Sequence, residues 1–147
     1  MEPLSMCLAP VVLLGTLTLS EFNTNVAKQT AKTTGSGQQI SISTCERGIG
    51  LNIMASTNGL YSADMQYGLA TSFGDFSISF APRIGVSYVD HTVKELPQVT
   101  QFSVGAGLYV GYQQIRVGAE LRHFSNAGIT DGNIGLNGIG LVAGWAF

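Results

Sequence analysis

From Ile49 to the C-terminus, apolar residues fall on alternate positions, the period of a β-strand whose two faces meet different surroundings. Ile49, Leu51, Ile53 and Ala55 alternate with Gly50, Asn52, Met54 and Ser56. Tyr61, Ala63, Met65, Tyr67, Leu69 and Phe73 oppose Ser62, Asp64, Gln66, Gly68 and Ser72. Beyond Gly74-Asp75, Phe76, Ile78, Phe80, Ile84, Val86 and Tyr88 oppose Ser77, Ser79, Ala81, Arg83, Gly85 and Ser87. A fourth run sets Phe102, Val104, Ala106, Leu108, Val110 and Tyr112 against Gln101, Ser103, Gly105, Gly107, Tyr109 and Gly111. A fifth sets Ile115, Val117, Ala119 and Leu121 against Gln114, Arg116, Gly118, Glu120 and Arg122. The last alternates Ile139, Leu141, Ala143, Trp145 and Phe147 with Gly138, Gly140, Val142 and Gly144. Six strands follow directly. Ile40 to Thr44 is a weaker seventh, and the N-terminal apolar segment is a candidate eighth.

The chemistry of the second face decides between two all-β architectures. A soluble sandwich would bury large apolar residues on one face and show polar ones to water. Here the second face is crowded with Gly and Ser, too small to fill such a core, and carries Asp64, Arg83, Arg116, Glu120 and Arg122. Those charges can pair inside a narrow lumen, while the large apolar face meets lipid. Aromatic residues sit near strand ends (Tyr61, Phe73, Phe76, Tyr88, Tyr112, Trp145), as interfacial girdles require. The expected fold is all-β: a small antiparallel transmembrane β-barrel. Bacterial barrels have even strand numbers, so eight strands are expected and six is the fallback.

Composition supports this architecture. The 147 residues leave room for one domain, of which 45% are hydrophobic and only 11% charged. A soluble domain carries about 25% charged residues. No run approaches the roughly 18 uninterrupted apolar residues of a spanning helix, although mean hydropathy is +0.26. The net charge of −2 gives no basis for a nucleic-acid partner. Cys7 and Cys45 lack neighbouring Cys or His at ligand spacing, so no zinc site is expected. Unpaired thiols, or loss of Cys7 on processing, are favoured over a disulfide.

Residues 1–20 are read as a signal peptide or atypical N-terminal segment. Leu8 to Leu19 has the length and polarity of an export-signal core, but the stretch before it carries Glu2 and no Lys or Arg. The same segment is alternatively a first strand. Residues 21–39, rich in Thr, Ser, Lys, Gly and Gln between Asn23 and Gln39, read as a flexible leader. The barrel itself is assigned to residues 40–147.

Connection lengths orient the barrel. Tight turns at Gly74-Asp75 and Gln113-Gln114 contrast with long connections at Asp90 to Pro97 and Asn126 to Leu136. Short turns face the periplasm and long loops the exterior. The strand ending near His123 therefore runs outward to the outer leaflet. His123 and Ser125 are in phase with Val117, Ala119 and Leu121 and point to lipid. On spacing alone they are either interfacial polar residues, cheap near the headgroups, or a base and the nucleophile it activates. Same-face neighbours lie roughly 7 Å apart along a strand, so side-chain lean must close that gap. His91, in the Asp90 to Pro97 loop, reads as solvated. Glu120 has the opposite phase and reads as a lumen partner of Arg116 or Arg122. Gly105-Ala106-Gly107 lies within a strand and is no dinucleotide fingerprint.

The hexapeptide His123-Phe124-Ser125-Asn126-Ala127-Gly128, opening a long loop before an aromatic-ended last strand, resembles the lipid A 3-O-deacylase family. The resemblance is sharpest over Val117 to Gly128, extends in general form to Phe147, and includes Ser79-Phe80-Ala81-Pro82 on an upstream strand. It implies an eight-stranded outer-membrane barrel and an esterase that removes the 3-hydroxyacyl chain at position 3 of lipid A. Ser125 would be the nucleophile and His123 the base. Asn126, with the backbone N–H groups of Ala127 and Gly128, would stabilise the oxyanion. The family's acid, a Glu that orients the His, falls by spacing at Asn137 here. An Asn carbonyl can orient the ring but cannot neutralise an imidazolium, and Asp131 is a loop candidate for that task. No metal or cofactor is implied. The expected partners are lipopolysaccharide, the outer membrane and, through the terminal Phe147, the barrel-assembly machinery; a homodimer is left open. The alternative function is a non-catalytic barrel: structural, adhesive or a pseudoenzyme.

Overall fold

The computed structural model describes residues 9–21, 32–90, 100–125 and 136–147. Its strands are β1 (Val11–Glu21), β2 (Lys32–Ser43), β3 (Gly48–Ser56), β4 (Leu60–Phe73), β5 (Phe76–Val89), β6 (Thr100–Tyr112), β7 (Ile115–Ser125) and β8 (Leu136–Ala146). Each pairs antiparallel with the next, and β1 pairs with β8 to close the barrel. The eight-stranded antiparallel barrel is therefore the architecture, and the six-strand fallback is set aside.

Two boundaries differ from the sequence reading. The leader assigned to residues 21–39 gives way to strand from Lys32, because Lys32–Ser43 is hydrogen-bonded along β1. The barrel begins at Val11 rather than residue 40, since the apolar N-terminal segment is β1. The alternation of β1 differs from that of the later strands because its apolar positions are largely the inner ones: Leu13, Leu17 and Leu19 are buried inside the barrel, while Leu14 shares the outer phase with Thr16 and Thr18. Removing this segment as an export signal would remove a strand and both of its neighbours' pairing edges.

The alternation divides the remaining strands as expected. Along β4 and β5, residues such as Ser62, Asp64, Gln66, Ser79 and Arg83 are buried, whereas Met65, Leu69, Ile84 and Val86 are exposed on the outer wall. The outer aromatics form two belts. Phe73, Phe76, Tyr112 and Trp145 lie toward the tight-turn end, with the Phe76 and Tyr112 ring centroids 4.9 Å apart. Tyr61, Tyr88 and Phe102 lie toward the other end, with Tyr61 and Tyr88 centroids 6.3 Å apart. Phe76 and Tyr88 bound roughly 40 Å of strand at about 3.3 Å per residue. At a tilt of about 40° that is about 30 Å of height, enough for the apolar band of an outer-membrane barrel.

Residues 44–47, 74–75 and 113–114 connect strands at one end. Gly74 and Gln113 take positive φ there, 63° and 50°, which allows two-residue reversals. Val11 and Ala146 are paired at that same end. The opposite end carries the longer connections and the short Thr57-Asn58-Gly59 turn. The loop containing His91 and most of the connection after Ser125 lie outside the described residues.

The lumen is filled in layers. Toward the long-loop end, Leu17, Leu19, Met54, Leu60, Val89, Phe124 and Leu136 form an apolar plug. Toward the tight turns, Val11, Leu13, Ala81, Tyr109 and Val142 form a second cluster. Between them lies a charged layer. Glu120 is ion-paired to Arg83, accepts from the Tyr109 hydroxyl at 2.5 Å, and lies 4.0 Å from Arg122. Arg122 donates to Asp64 at 2.7 Å and to Asn52 at 2.9 Å. Tyr109 can cross the lumen because Gly107 and Gly118 leave room; a Cβ at either would overlap its ring. The principal partner of Glu120 is thus Arg83 from the distant β5, with Arg122 second. Arg116 pairs instead with Glu46 at 2.6 Å.

This layer makes a stability prediction. Glu120→Ala leaves Arg83 buried without its anion, and breaking a buried pair from one side costs about 3–5 kcal/mol. The expected result is a loss of that size in the urea unfolding free energy of the barrel in phospholipid vesicles. A loss under about 1 kcal/mol, the range of an exposed pair, would refute it.

Candidate active site

The long-loop end of β7 holds two polar side chains on the outward-facing row. His123 and Ser125 are half-buried, whereas Arg122 and Phe124 on either side of the His are buried in the lumen. The period-two geometry of the strand produces this split. Both anchors are held: Arg122 by Asp64 and Asn52, Phe124 by the apolar plug. β8 presents Asn137 opposite His123 in direct register. Asn137 is outward because it shares the phase of Ile139 and Leu141, both exposed.

The two side chains meet. His123 Nδ1 lies 2.8 Å from Asn137 Oδ1. An amide oxygen only accepts, so this contact places the proton on Nδ1 and leaves the Nε2 lone pair for a second partner. A neutral imidazole with Nδ1 anchored and Nε2 available is the state a general base requires. Ser125 lies two residues on, and both side chains line one shallow depression with Ile84, Phe102 and Val104. On the other side of His123 a wider groove runs over Val104, Ala106, Leu121 and Ile139. Its walls are mainly apolar, with Ser20, His123 and Asn137 as polar groups along them.

Of the residues singled out in the sequence, His123 and Asn137 are brought into contact and Ser125 borders the same depression. Asn126, Ala127, Gly128 and Asp131 lie outside the described residues. Cys45 is a buried thiol whose S–H donates to the Arg47 carbonyl at 2.8 Å, away from this wall. Cys7 also lies outside the described residues.

One neighbour was missed. Ser20 of β1 is paired in register with Asn137, and its hydroxyl donates to the Asn137 backbone carbonyl at 3.4 Å. The outer row therefore runs from Val104 through His123 and Asn137 to Ser20 across four strands. Nothing local to Ser20 signals this, because its position depends on β1 closing the barrel.

Fold and site together define a small barrel of the outer-membrane type with a serine–histidine–amide row on its lipid-facing wall. The family model for lipid A 3-O-deacylase (PagL) matches residues 27–146, and the chain belongs to that family. A solved structure described as the outer membrane enzyme PagL aligns with 92% of this chain and 98% of its own, at 14% identity and a TM-score of 0.58. Ail, the attachment invasion locus protein of Yersinia pestis, aligns with 97% of this chain and 100% of its own, at 12% identity and a TM-score of 0.59. At such identities these likenesses concern the fold. No curated protein sequence matches the chain.

Proposed function

We propose that the chain is a serine esterase of the bacterial outer membrane that releases the ester-linked 3-hydroxyacyl chain at position 3 of lipid A. The observation that carries this reading is the 2.8 Å contact between His123 Nδ1 and Asn137 Oδ1 on the lipid-facing wall, beside Ser125. Membership of the deacylase family supports the substrate class. In the proposed reaction His123 Nε2 removes the Ser125 hydroxyl proton as Oγ attacks the ester carbonyl. Asn126 and the backbone N–H groups of Ala127 and Gly128 would bind the resulting oxyanion, a role worth about 3–4 kcal/mol per donor in other hydrolases. The tetrahedral intermediate collapses as His123 returns the proton to the departing sugar alkoxide. Water, activated by the same ring, then frees the acyl chain from Ser125. Neither metal nor cofactor enters these steps.

Location supports the substrate. His123 and Ser125 lie at the end of β7 toward the long connections; with long loops facing the exterior, that end would sit at outer-leaflet depth, where lipopolysaccharide resides. The terminal Phe147 follows the last strand as a recognition element for the barrel-assembly machinery, and a homodimer would use the exposed apolar wall. Any export signal would have to precede or spare β1.

A second reading has its own support: Asn137 is neutral, and the fold is equally that of the attachment protein Ail. It makes the chain a non-catalytic barrel, structural, adhesive or a pseudoenzyme.

Mass spectrometry of lipid A from Gram-negative cells expressing the chain separates the two. The esterase reading expects a species lighter by one 3-hydroxyacyl group. Unchanged lipid A, with heat-modifiable barrel recovered from the outer membrane, would establish the second reading instead.

A further inference from the structure

We propose that Phe124 is a positioning residue, through which the apolar plug inside the barrel sets the geometry of the site on its outer wall. The inference rests on the esterase reading and deepens it. Phe124 stands between His123 and Ser125 in the chain and is fully buried, pointing into the lumen while its two neighbours point to lipid. A shift of the β7 backbone at Phe124 moves both of those side chains, because one strand backbone carries all three.

The plug grips three of the four strands of the outer row, β7, β1 and β8, in the same manner. On β1, Leu19 is buried immediately before Ser20. On β8, Asn137 is flanked by buried Leu136 and by Gly138. Gly138 marks the point of closest approach. A Cβ there would stand 2.9 Å from Leu17 Cδ1 and 3.5 Å from both Leu19 Cδ2 and Phe124 Cε2. The Phe124 ring edge thus packs over the β8 backbone at the residue next to Asn137, with the β1 leucines closing on the same spot. The ring bridges β7 to β8 from inside at the level where His123 and Asn137 bond outside.

Loss of the ring leaves a cavity that a closed barrel cannot fill by collapse, since each strand is fixed by two neighbours. The β7 end then relaxes relative to β8. The His123–Asn137 contact, which has one hydrogen bond to hold it, is the first casualty. A misplacement of about 1 Å at a reacting group can cost about a hundredfold in rate.

The test uses purified barrel in detergent micelles, in a His91→Gln background so that His123 is the only imidazole. Nitrogen NMR of the intact plug should report one Nδ1–H tautomer. Phe124→Ala is expected to give mixed tautomers and to lower kcat for acyl release from lipid A by about ten- to a hundredfold. KM should stay within about twofold, since substrate contacts lie outside. Phe124→Leu, which refills most of the volume, should return both readouts toward the parent. Leu13→Ala opens a cavity in the opposite apolar cluster and controls for lost stability; it should leave tautomer and kcat unchanged. Should Phe124→Ala fail to assemble, Leu19→Ala loosens the same contact over Gly138 from β1 and is expected to behave alike. Unchanged tautomer and kcat in the plug variant would overturn the inference. So would equal losses in Leu13→Ala. If the parent barrel releases no acyl chain, the esterase reading falls, and the tautomer comparison alone decides the role of Phe124.

Discussion

Ser125→Ala is expected to end lipid A deacylation, lowering turnover by about 10⁶-fold to the residue left by binding and oxyanion contacts alone. The size of the loss follows from the role of Oγ. The one other hydroxyl residue along that depression, Ser103, cannot take over the acyl intermediate, because its side chain is buried and donates to Asp64 in the lumen at 2.6 Å. His123 without Ser125 would have to activate water at a lipid surface, against an ester that water alone attacks slowly. The same substitution should leave the fold unchanged. Ser125 is half-buried at the last position of β7, on the outer wall where a methyl group meets lipid or headgroups at little cost. Activity and assembly therefore separate in one variant, which a destabilising change in the lumen would not achieve. The measurement is the mass spectrum of lipid A from cells producing either protein, with heat-modifiable barrel quantified in both. Equal trimming by the Ala variant would remove Ser125 from the mechanism and send the search to the connection beyond it. His123→Ala should match the loss, since in such centres removal of nucleophile or base alone costs about as much as removal of both.

The strands from β3 onward were legible because lipid outside and a narrow lumen inside impose opposite demands on alternate positions. Ile84 must be large and apolar while Arg83 beside it must find a partner, and the chain records that contrast residue by residue. β1 escaped for the converse reason. Its inner face builds part of both apolar clusters, through Leu13 and Leu17, while Thr16, Thr18 and Ser20 take the outer phase, so the contrast of the other strands is reversed over half its length. β2 escaped because Gly35 and Gly37 pair with β1 through backbone alone. A stretch that packs few side chains leaves little pattern, and its strand state is settled by the edge it completes.

The site divides in the same way. The outward phase of His123 is a property of one strand and can be read from its alternation, whereas Asn137 was reached only through what the family resemblance implies, because a ten-residue connection leaves the register of β8 against β7 open. Ser20 joins only when the first and last strands meet, more than a hundred positions apart in the chain. Glu120 shows the limit most clearly. Reading along β7 suggests Arg116 or Arg122, but lumen geometry brings Arg83 across from β5 and assigns Arg116 to Glu46. Local sequence determines which wall a charge faces, whereas barrel closure and stagger determine whom it meets.

Asn137 makes the second large prediction. Its carbonyl orients His123 at 2.8 Å, yet it brings no charge to offset the imidazolium that the proposed attack by Ser125 would create. In serine proteases, exchanging the orienting Asp for Asn costs about 10⁴ in turnover. Part of that loss is a misplaced tautomer, which the present contact avoids; the rest is missing charge. Asn137→Asp preserves side-chain length, so a carboxylate oxygen would occupy the place of Oδ1 and keep the Nδ1–H bond. It is expected to raise kcat by about 10²-fold, short of the full 10⁴ because the tautomer part is already avoided, with KM unchanged, because the added stabilisation exists only once the ring is protonated. The carboxylate stands on the outer wall near the headgroups, where such a charge costs about 0–1 kcal/mol, so assembly should survive. Asn137→Glu adds a methylene and tests whether the longer acid implied by the family resemblance can reach the same nitrogen. A rise in both variants would mark the parent chain as a slowed deacylase whose constellation is otherwise complete. Unchanged kcat in Asn137→Asp would mean that no imidazolium charge develops in the limiting step, and His123 would lose its place as the base.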